Sequence, residues 1–207
     1  MDLPPAVHEH FEALNAGAWR ERAGAGSWTA YEERPLQAVT SGDVVAVRTH
    51  FTGTTPAGTR VELEPLTVFS NGRVDAWDGV IPALEVIGEY FRSSNAEDWA
   101  AFAQTWAENA DLVAVGGPPR HGRADVVRAY QLFLGLFGRH EDHVERMVVT
   151  GRTAAVTGRF YGTNPQGLDI EFDWADVIDL TADERQIQRL SHWHDRDRFR
   201  KLMAAES

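Results

Sequence analysis

The chain has 207 residues, 43% of them hydrophobic and 25% charged, the balance of an ordinary globular protein with room for one large domain or two small ones. Its net charge of −11 excludes nucleic acid as a partner, because phosphate binding needs clustered Lys and Arg. The absence of cysteine excludes a disulfide framework, a thiolate nucleophile and a zinc knuckle. The opening MDLPPAVHEHFEAL has no basic start followed by an apolar run. No apolar stretch approaches the length that spans a membrane, so a cytoplasmic protein with no membrane partner is expected.

In chain order, VHEHFEALNAGAW (Val7 to Trp19) opens the first half. Arg20 to Gln37 follows, with an AGAG that reads as loop. Gly42 to Ser70 carries the first strand-like block, and a boundary is expected near Val80 to Ala83. Beyond it Leu84, Ile87 and Phe91, with Tyr90 beside them, form a helical stripe. Asn95 reads as an N-cap, with Asp98 as its capping-box partner. Trp99, Phe102 and Trp106 then fall at helical spacing, and AENADLVAVGG reads as a stop and a short strand. His121 to Gly138 reads as a third amphipathic helix, with Val126, Tyr130, Phe133 and Phe137 on one side. Four strands are expected from HVERMVVTG, RTAAVTGRFYGT, LDIEFDWADVIDL and QIQRLSHWHD. Gly151-Arg152, Asn164 to Gly167 and Thr181 to Arg185 separate them. The charged tail from Asp195 to Lys201 reads as a solvated helix. Helices first and a meander after is an α+β layout.

The chain also repeats itself. Gly42 to Ser70 and Gly151 to Asp179 align without a gap at an offset of 109, with 10 identities in 29 positions. Val7 to Trp19 and Ile87 to Trp99 align at an offset of 80, with 5 identities in 13. The rise in offset, 109 − 80 = 29, means that the first copy lacks 29 residues, including a helix. A tandem duplication with a trimmed first copy is expected, residues 1–80 and 81–207.

One residue stands out. Phe172, Trp174, Ile178 and Leu180 share a strand face that is apolar except for Asp176. An unpaired buried carboxylate costs several kcal/mol, order-of-magnitude, or stays protonated. Asp176 either has a chemical task or caps a helix or meets an arginine in the core. His192 shares a face with Leu190 and His194 and is a competent acid/base near neutral pH; which face points inward is open. His192 and His194 with His140 and His143 could supply imidazoles to a metal, but a third ligand must be guessed, and no metal is expected. RHEDH (Arg139 to His143) reads as a charged loop edge from which Asp142 could reach a site. Trp106, Trp174 and Tyr130 are candidates to wall a ligand pocket.

N-A-x-D-W, A-E-x-A-x-L, H-G-R-x-x-V, G-x-x-A-A-V-x-x-x-F-x-G-T and A-D-V-x-D-L together resemble the nuclear transport factor 2-like superfamily. Within it they look like the SnoaL-type polyketide cyclases and ketosteroid isomerases. The resemblance is full from Ile81 to about Met203 and truncated from Ala6 to Gly79. It implies two cone-shaped halves of helices on a strongly bent antiparallel sheet, the first degenerate, arranged as a pseudo-dimer within one chain. By that resemblance Tyr90 and Asp176 would donate to a carbonyl oxygen becoming an enolate, a device for which ketosteroid isomerase is the type case. His192, just before a Trp on the last strand, would move the proton. The isomerases' general-base carboxylate is replaced here by about Ala114, which disfavours simple steroid isomerisation. In the first copy Thr67 and His10 stand at the positions of Asp176 and Tyr90.

The function the resemblance implies is a cofactor-independent isomerase or cyclase acting next to a carbonyl on a hydrophobic, polyketide-like metabolite. Tyr90, Asp176 and His192 would be catalytic, and Trp106, Tyr130, Trp174, His194 and Asp142 would bind substrate. An epoxide hydrolase or epoxide-opening cyclase is one alternative, and a non-catalytic binding or assembly protein is another. A monomer with an internal pseudo-dimer, or a homodimer, is expected.

Overall fold

A computed structural model of the protein describes residues 3–16, 28–78 and 81–204. Trp19, the AGAG of residues 23–26 and the start of the expected Val80 to Ala83 boundary lie outside the described residues. The chain forms two compact units, residues 1–81 with 148–151 and residues 82–147 with 152–207. Each combines helix with sheet, as an α+β protein does.

In the first unit α1 (Pro5–Asn15) starts on a proline pair, with Pro5 where the missing N–H costs nothing. Val7, Phe11 and Leu14, three and four apart, bury one face of it against Val45, Val47 and Phe69. β1 (Ala30–Ser41) and β2 (Val44–Thr54) form a hairpin with Gly42 in the left-handed region at its turn. β1 begins within Arg20 to Gln37, beyond the AGAG that reads as loop, and its register shifts at Pro35, which cannot donate to the ladder. β2 also pairs with β3 (Arg60–Leu63) and β4 (Leu66–Ser70), and β4 pairs with β5 (Arg73–Asp78).

Glu33 on β1 is fully buried. Its carboxylate accepts from Thr49 Oγ1 at 2.7 Å and from the Tyr31 hydroxyl. Its backbone is clamped by Asn15, whose Nδ2 donates to Glu33 O and whose Oδ1 accepts from Glu33 N–H, both at 2.9 Å. No oxygen of this carboxylate is left facing an apolar wall, which is why the burial is tolerable.

The second unit opens with α2 (Ile81–Asn95) and α3 (Trp99–Gln104). Asn95 ends α2 and caps nothing; Asp98 is the cap of α3, accepting from Ala101 N–H. Trp106 is the first residue of β6 (Trp106–Ala114), not part of the helix. The helix ends because Thr105 turns its hydroxyl back to Phe102 O while its carbonyl takes the N–H of Ile187, drawing the chain into the sheet. β7 (Arg120–His121) and α4 (Arg123–Leu134) follow, the helix shorter at both ends than its apolar pattern. RHEDH is no loop edge: β8 (His140–Thr150) begins inside it. β9 (Thr153–Thr163), β10 (Asp169–Leu180), β11 (Ile187–His194) and α5 (Arg196–Ala204) complete the unit.

The strand order is β8-β9-β10-β11-β6-β7, an unclosed sheet in which β10 pairs antiparallel with β9 and β11, β6 pairs antiparallel with β7, and β11 and β6 run parallel. Every second residue of β10 from Ile170 to Leu180 is buried, and Asp176 is in that row at 3% exposure. Its cross-strand partner on β11 is His192, and that of Trp174 is His194. The face of β11 that points inward is therefore the one with Leu190, His192 and His194, while Trp193 points out.

One turn occurs in both units. Thr55 N–H donates to Thr59 O and Gly58 N–H to Thr55 O; 109 residues on, Asn164 N–H donates to Leu168 O and Gly167 N–H to Asn164 O. Gly58 and Gly167 have φ of +88° and +82°, which explains the shared glycine. The following strands differ: β10 runs unbroken, whereas Pro65, at the position of Trp174, falls in the gap between β3 and β4.

Candidate active site

The second unit encloses a cavity of about 500 Å³. Its walls are largely apolar, with Phe91, Leu112, Phe133, Phe160, Phe172 and Phe199 prominent among them. Into this surface the fold brings Tyr90 from α2, Tyr130 from α4, Asp142 from β8, Trp174 and Asp176 from β10, and His192 and His194 from β11. A mostly apolar cavity with a few convergent polar groups is the usual form of a small-molecule site.

Asp176 meets neither an arginine nor a helix end. Its Oδ1 lies 2.7 Å from Nδ1 of His192, and Nε2 of His192 lies 3.0 Å from Nδ1 of His194. The three side chains form a hydrogen-bonded file that runs from a buried carboxylate to the cavity. Burial pushes the Asp176 carboxyl up from its ordinary value, against the pull of His192. Burial works to lower the pKa of His192, but the hydrogen bond and charge of Asp176, helped by Asp142, outweigh it and the net shift is upward. His194 is pushed down to about 4 by burial, by the charge of His192 and by Arg196. Of the two rings His192 is therefore the one that takes up an extra proton, while His194 stays neutral.

Two tyrosines form a second polar group. Their hydroxyl oxygens are 2.6 Å apart, one donating to the other. Burial raises both phenols well above their ordinary range, so each keeps its proton. The Tyr90 and Tyr130 rings pack with Phe102 and Trp106. Trp106 itself is fully buried behind them and does not line the cavity, contrary to its place among the expected substrate contacts.

Asp142 is the third. Asn95 grips its backbone, donating from Nδ2 to Asp142 O at 2.9 Å and accepting Asp142 N–H at 2.8 Å. The carboxyl is pushed up to about 7, first by burial and then by the charge of Asp176, with His192 pulling the other way. Trp174 lies over Gly158, where a Cβ would come within 2.5 Å of the indole and 2.3 Å of His143 O. It also stacks on Phe91 at 5.2 Å.

The sequence reading thus placed Tyr90, Tyr130, Asp142, Trp174, Asp176, His192 and His194 on what is one cavity. It missed Asn95 as the residue that fixes Asp142, and it missed the apolar wall supplied by α5 through Phe199. Ala114 also lines the cavity. His140 is held elsewhere, stacked on Phe160 with Nε2 3.4 Å from Ser94 O. Among the described residues no cluster of three or more His, Asp or Glu side chains is arranged to hold a metal ion, and no helix is long and apolar enough to cross a membrane.

Solved structures share this architecture. A SnoaL-like polyketide cyclase candidate from Jannaschia sp. CCS1 superposes with a TM-score of 0.56 at 16% identity, over 61% of this chain and 94% of that one. TerC, co-crystallised with polyporic acid, gives 0.55 at 14% identity over 60% and 99%. An epoxide hydrolase of the LEH-like kind from M. tuberculosis gives 0.51 at 14% identity over 59% and 90%. At these identities the likeness is one of fold. No curated protein sequence matches the chain. Residues 87–190, half of the chain and the part that builds most of the cavity, match the SnoaL-like domain model, and the protein belongs to the SnoaL-like family of the nuclear transport factor 2-like superfamily.

Proposed function

We propose that the second unit is a cofactor-independent isomerase or cyclase that moves a proton next to a carbonyl on a hydrophobic, polyketide-like metabolite. The observation that carries this reading is the file Asp176–His192–His194 ending in an apolar cavity. With Asp176 ionised, the Nδ1–H of His192 donates to it, and Nε2 of His192 accepts from the Nδ1–H of His194. Both nitrogens of His192 are then in use. The ring nitrogen left for substrate is Nε2 of His194, which makes no hydrogen bond among the described residues. A proton taken there from carbon would be relayed: His194 passes its Nδ1 proton to His192, and the positive charge comes to rest between Asp176 and Asp142. This assigns Asp176 the role of positioning His192 rather than of donating to the substrate oxygen.

The developing enolate needs donors. One hydroxyl of the Tyr90–Tyr130 pair is consumed within the pair, and the other remains to donate. Asp142, protonated up to about pH 7, is a second donor. Both act in an apolar surround, where such bonds count for most.

Binding of a fluorescent planar phenol, with absorbance reporting its ionisation, tests the reading. Saturable binding with the phenol partly ionised, weakened in Tyr90→Phe, supports an oxyanion-binding site. A folded protein that binds no phenol would overturn it. The pair of cavity carboxyls, Asp142 near neutral pKa and Asp176 beside an imidazole, favours epoxide opening as the second reading, with one group giving a proton and the other directing water. Turnover of an aryl epoxide without phenol ionisation would select it.

We also propose that the first unit is a trimmed duplicate that carries no active site. The recurring turn, the gapless offset of 109 and the two asparagine clamps support this. Asn15 and Asn95 are 80 apart and Glu33 and Asp142 are 109 apart, the same offsets as the repeated blocks.

A further inference from the structure

Arg196 is the first residue of α5. It forms part of the cavity wall and is also exposed, so it stands where the cavity meets solvent. Its guanidinium lies against Gly116, where a Cβ would come 2.8 Å from Nε and 3.2 Å from Cζ. Gly116 has φ +82°, so a side chain there is disfavoured twice, and the guanidinium takes the space.

Among the described residues the charge of Arg196 is unmatched. Two other arginines line the cavity, and each has a carboxylate: Arg120 with Asp125 at 3.9 Å and Arg200 with Asp197 at 3.3 Å. Arg196 has no ion pair or hydrogen bond among the described residues. The neighbouring Asp195 instead uses Oδ1 to accept the N–H groups of Asp197 and Arg198 at the start of α5. Inside the cavity Asp176 is opposed by His192, and Asp142, whose carboxyl is pushed up to about 7, makes no ion pair with Arg196 among the described residues. In a chain of net charge −11, one uncompensated cation at a cavity entrance is a local exception.

We propose that Arg196 is the anion-recognition point of this site and that the substrate is a hydrophobic, partly planar acid. Its single carboxylate lies at Arg196, and its carbonyl end reaches Tyr90 and His194. A guanidinium matches a carboxylate with two parallel N–H donors, which would fix orientation as well as add affinity. This rests on the reading of the cavity as a proton-transfer site for a carbonyl compound.

The test compares two probes of the same ring system by calorimetry, naphthoate and the neutral ketone acetylnaphthalene. Wild type is expected to bind naphthoate about 10-fold more tightly. R196Q erases that preference and leaves the ketone's affinity in place, while R196K, which keeps the charge and loses the fork, retains part of it. Equal binding of the two probes to wild type, or a preference that survives R196Q, overturns the anion site while the ketone's binding leaves the cavity reading standing. Binding of neither probe to folded protein overturns both.

Discussion

The same asparagine clamp occurs in both units and holds carboxylates with opposite fates. Asn15, at the end of α1, fixes the backbone of Glu33; Asn95, at the end of α2, fixes the backbone of Asp142. Around Glu33 the fold supplies Thr49 and Tyr31, and the carboxylate is sealed. Around Asp142 the position of Thr49 is Gly158, whose missing side chain admits the indole of Trp174, and the carboxyl faces a cavity. A buried carboxylate is thus a structural group where hydroxyls satisfy it. It becomes a chemical group where the neighbours are apolar and its pKa climbs.

That contrast is open to direct attack, beginning with the carboxylates themselves. Glu33→Ala removes the carboxylate that accepts from the Thr49 and Tyr31 hydroxyls and should lower stability by about 4 kcal/mol in urea unfolding. Asp142→Asn should cost less than about 1 kcal/mol, since it removes a group held at its own expense. Equal losses would mean that both carboxylates are structural. Next in size is the exchange of neighbours: Gly158→Thr puts the first unit's residue under Trp174 and against His143 O, and should cost about 3 kcal/mol. Retained stability and phenol binding in that variant would show that the glycine is not what opens the site.

Asn15→Ala and Asn95→Ala each remove two hydrogen bonds to a strand and should each cost about 2 kcal/mol. Only the second should weaken phenol binding, and a loss in both would join the first unit to the site. A further effect is one of pH. Asp142 titrates near 7 against an ordinary 3.8, so the folded chain holds this proton more tightly than the unfolded one. Its contribution to stability is fully present below the unfolded value and is lost as pH rises through about 7. Urea midpoints of wild type should therefore fall between those limits relative to Asp142→Asn. Parallel profiles would remove Asp142 from the set of perturbed groups. In the same spirit, Asp176→Asn should move the NMR titration of His192 downward, and an unmoved titration would break the file at its first link.

Much of this was readable from residue patterns because it depends on local periodicity. The period-two row in β10 announces Asp176 among apolar neighbours before any fold is known, and alternation places His192 and His194 on one face of β11. The errors share a cause. Asn95 has the composition of a helix cap, but its partner is 47 residues away on β8. Trp106 continues a helical spacing, but Ile187 pairs with its neighbour Thr105 and turns the chain into a strand. Arg196 and Phe199 look like a solvated tail because nothing near them in sequence reveals a cavity.

By itself the amino-acid order determines the repeat, the α+β layout, the strand faces and the residue types available for chemistry, since these follow from spacing along the chain. The tertiary structure alone decided which side chains meet. It placed His192 opposite Asp176, joined Tyr90 to Tyr130, put Trp106 behind the wall and left Arg196 without an ion pair or hydrogen bond among the described residues. Those pairings depend on strand register and on contacts across tens of residues, and burial then sets the protonation of each group.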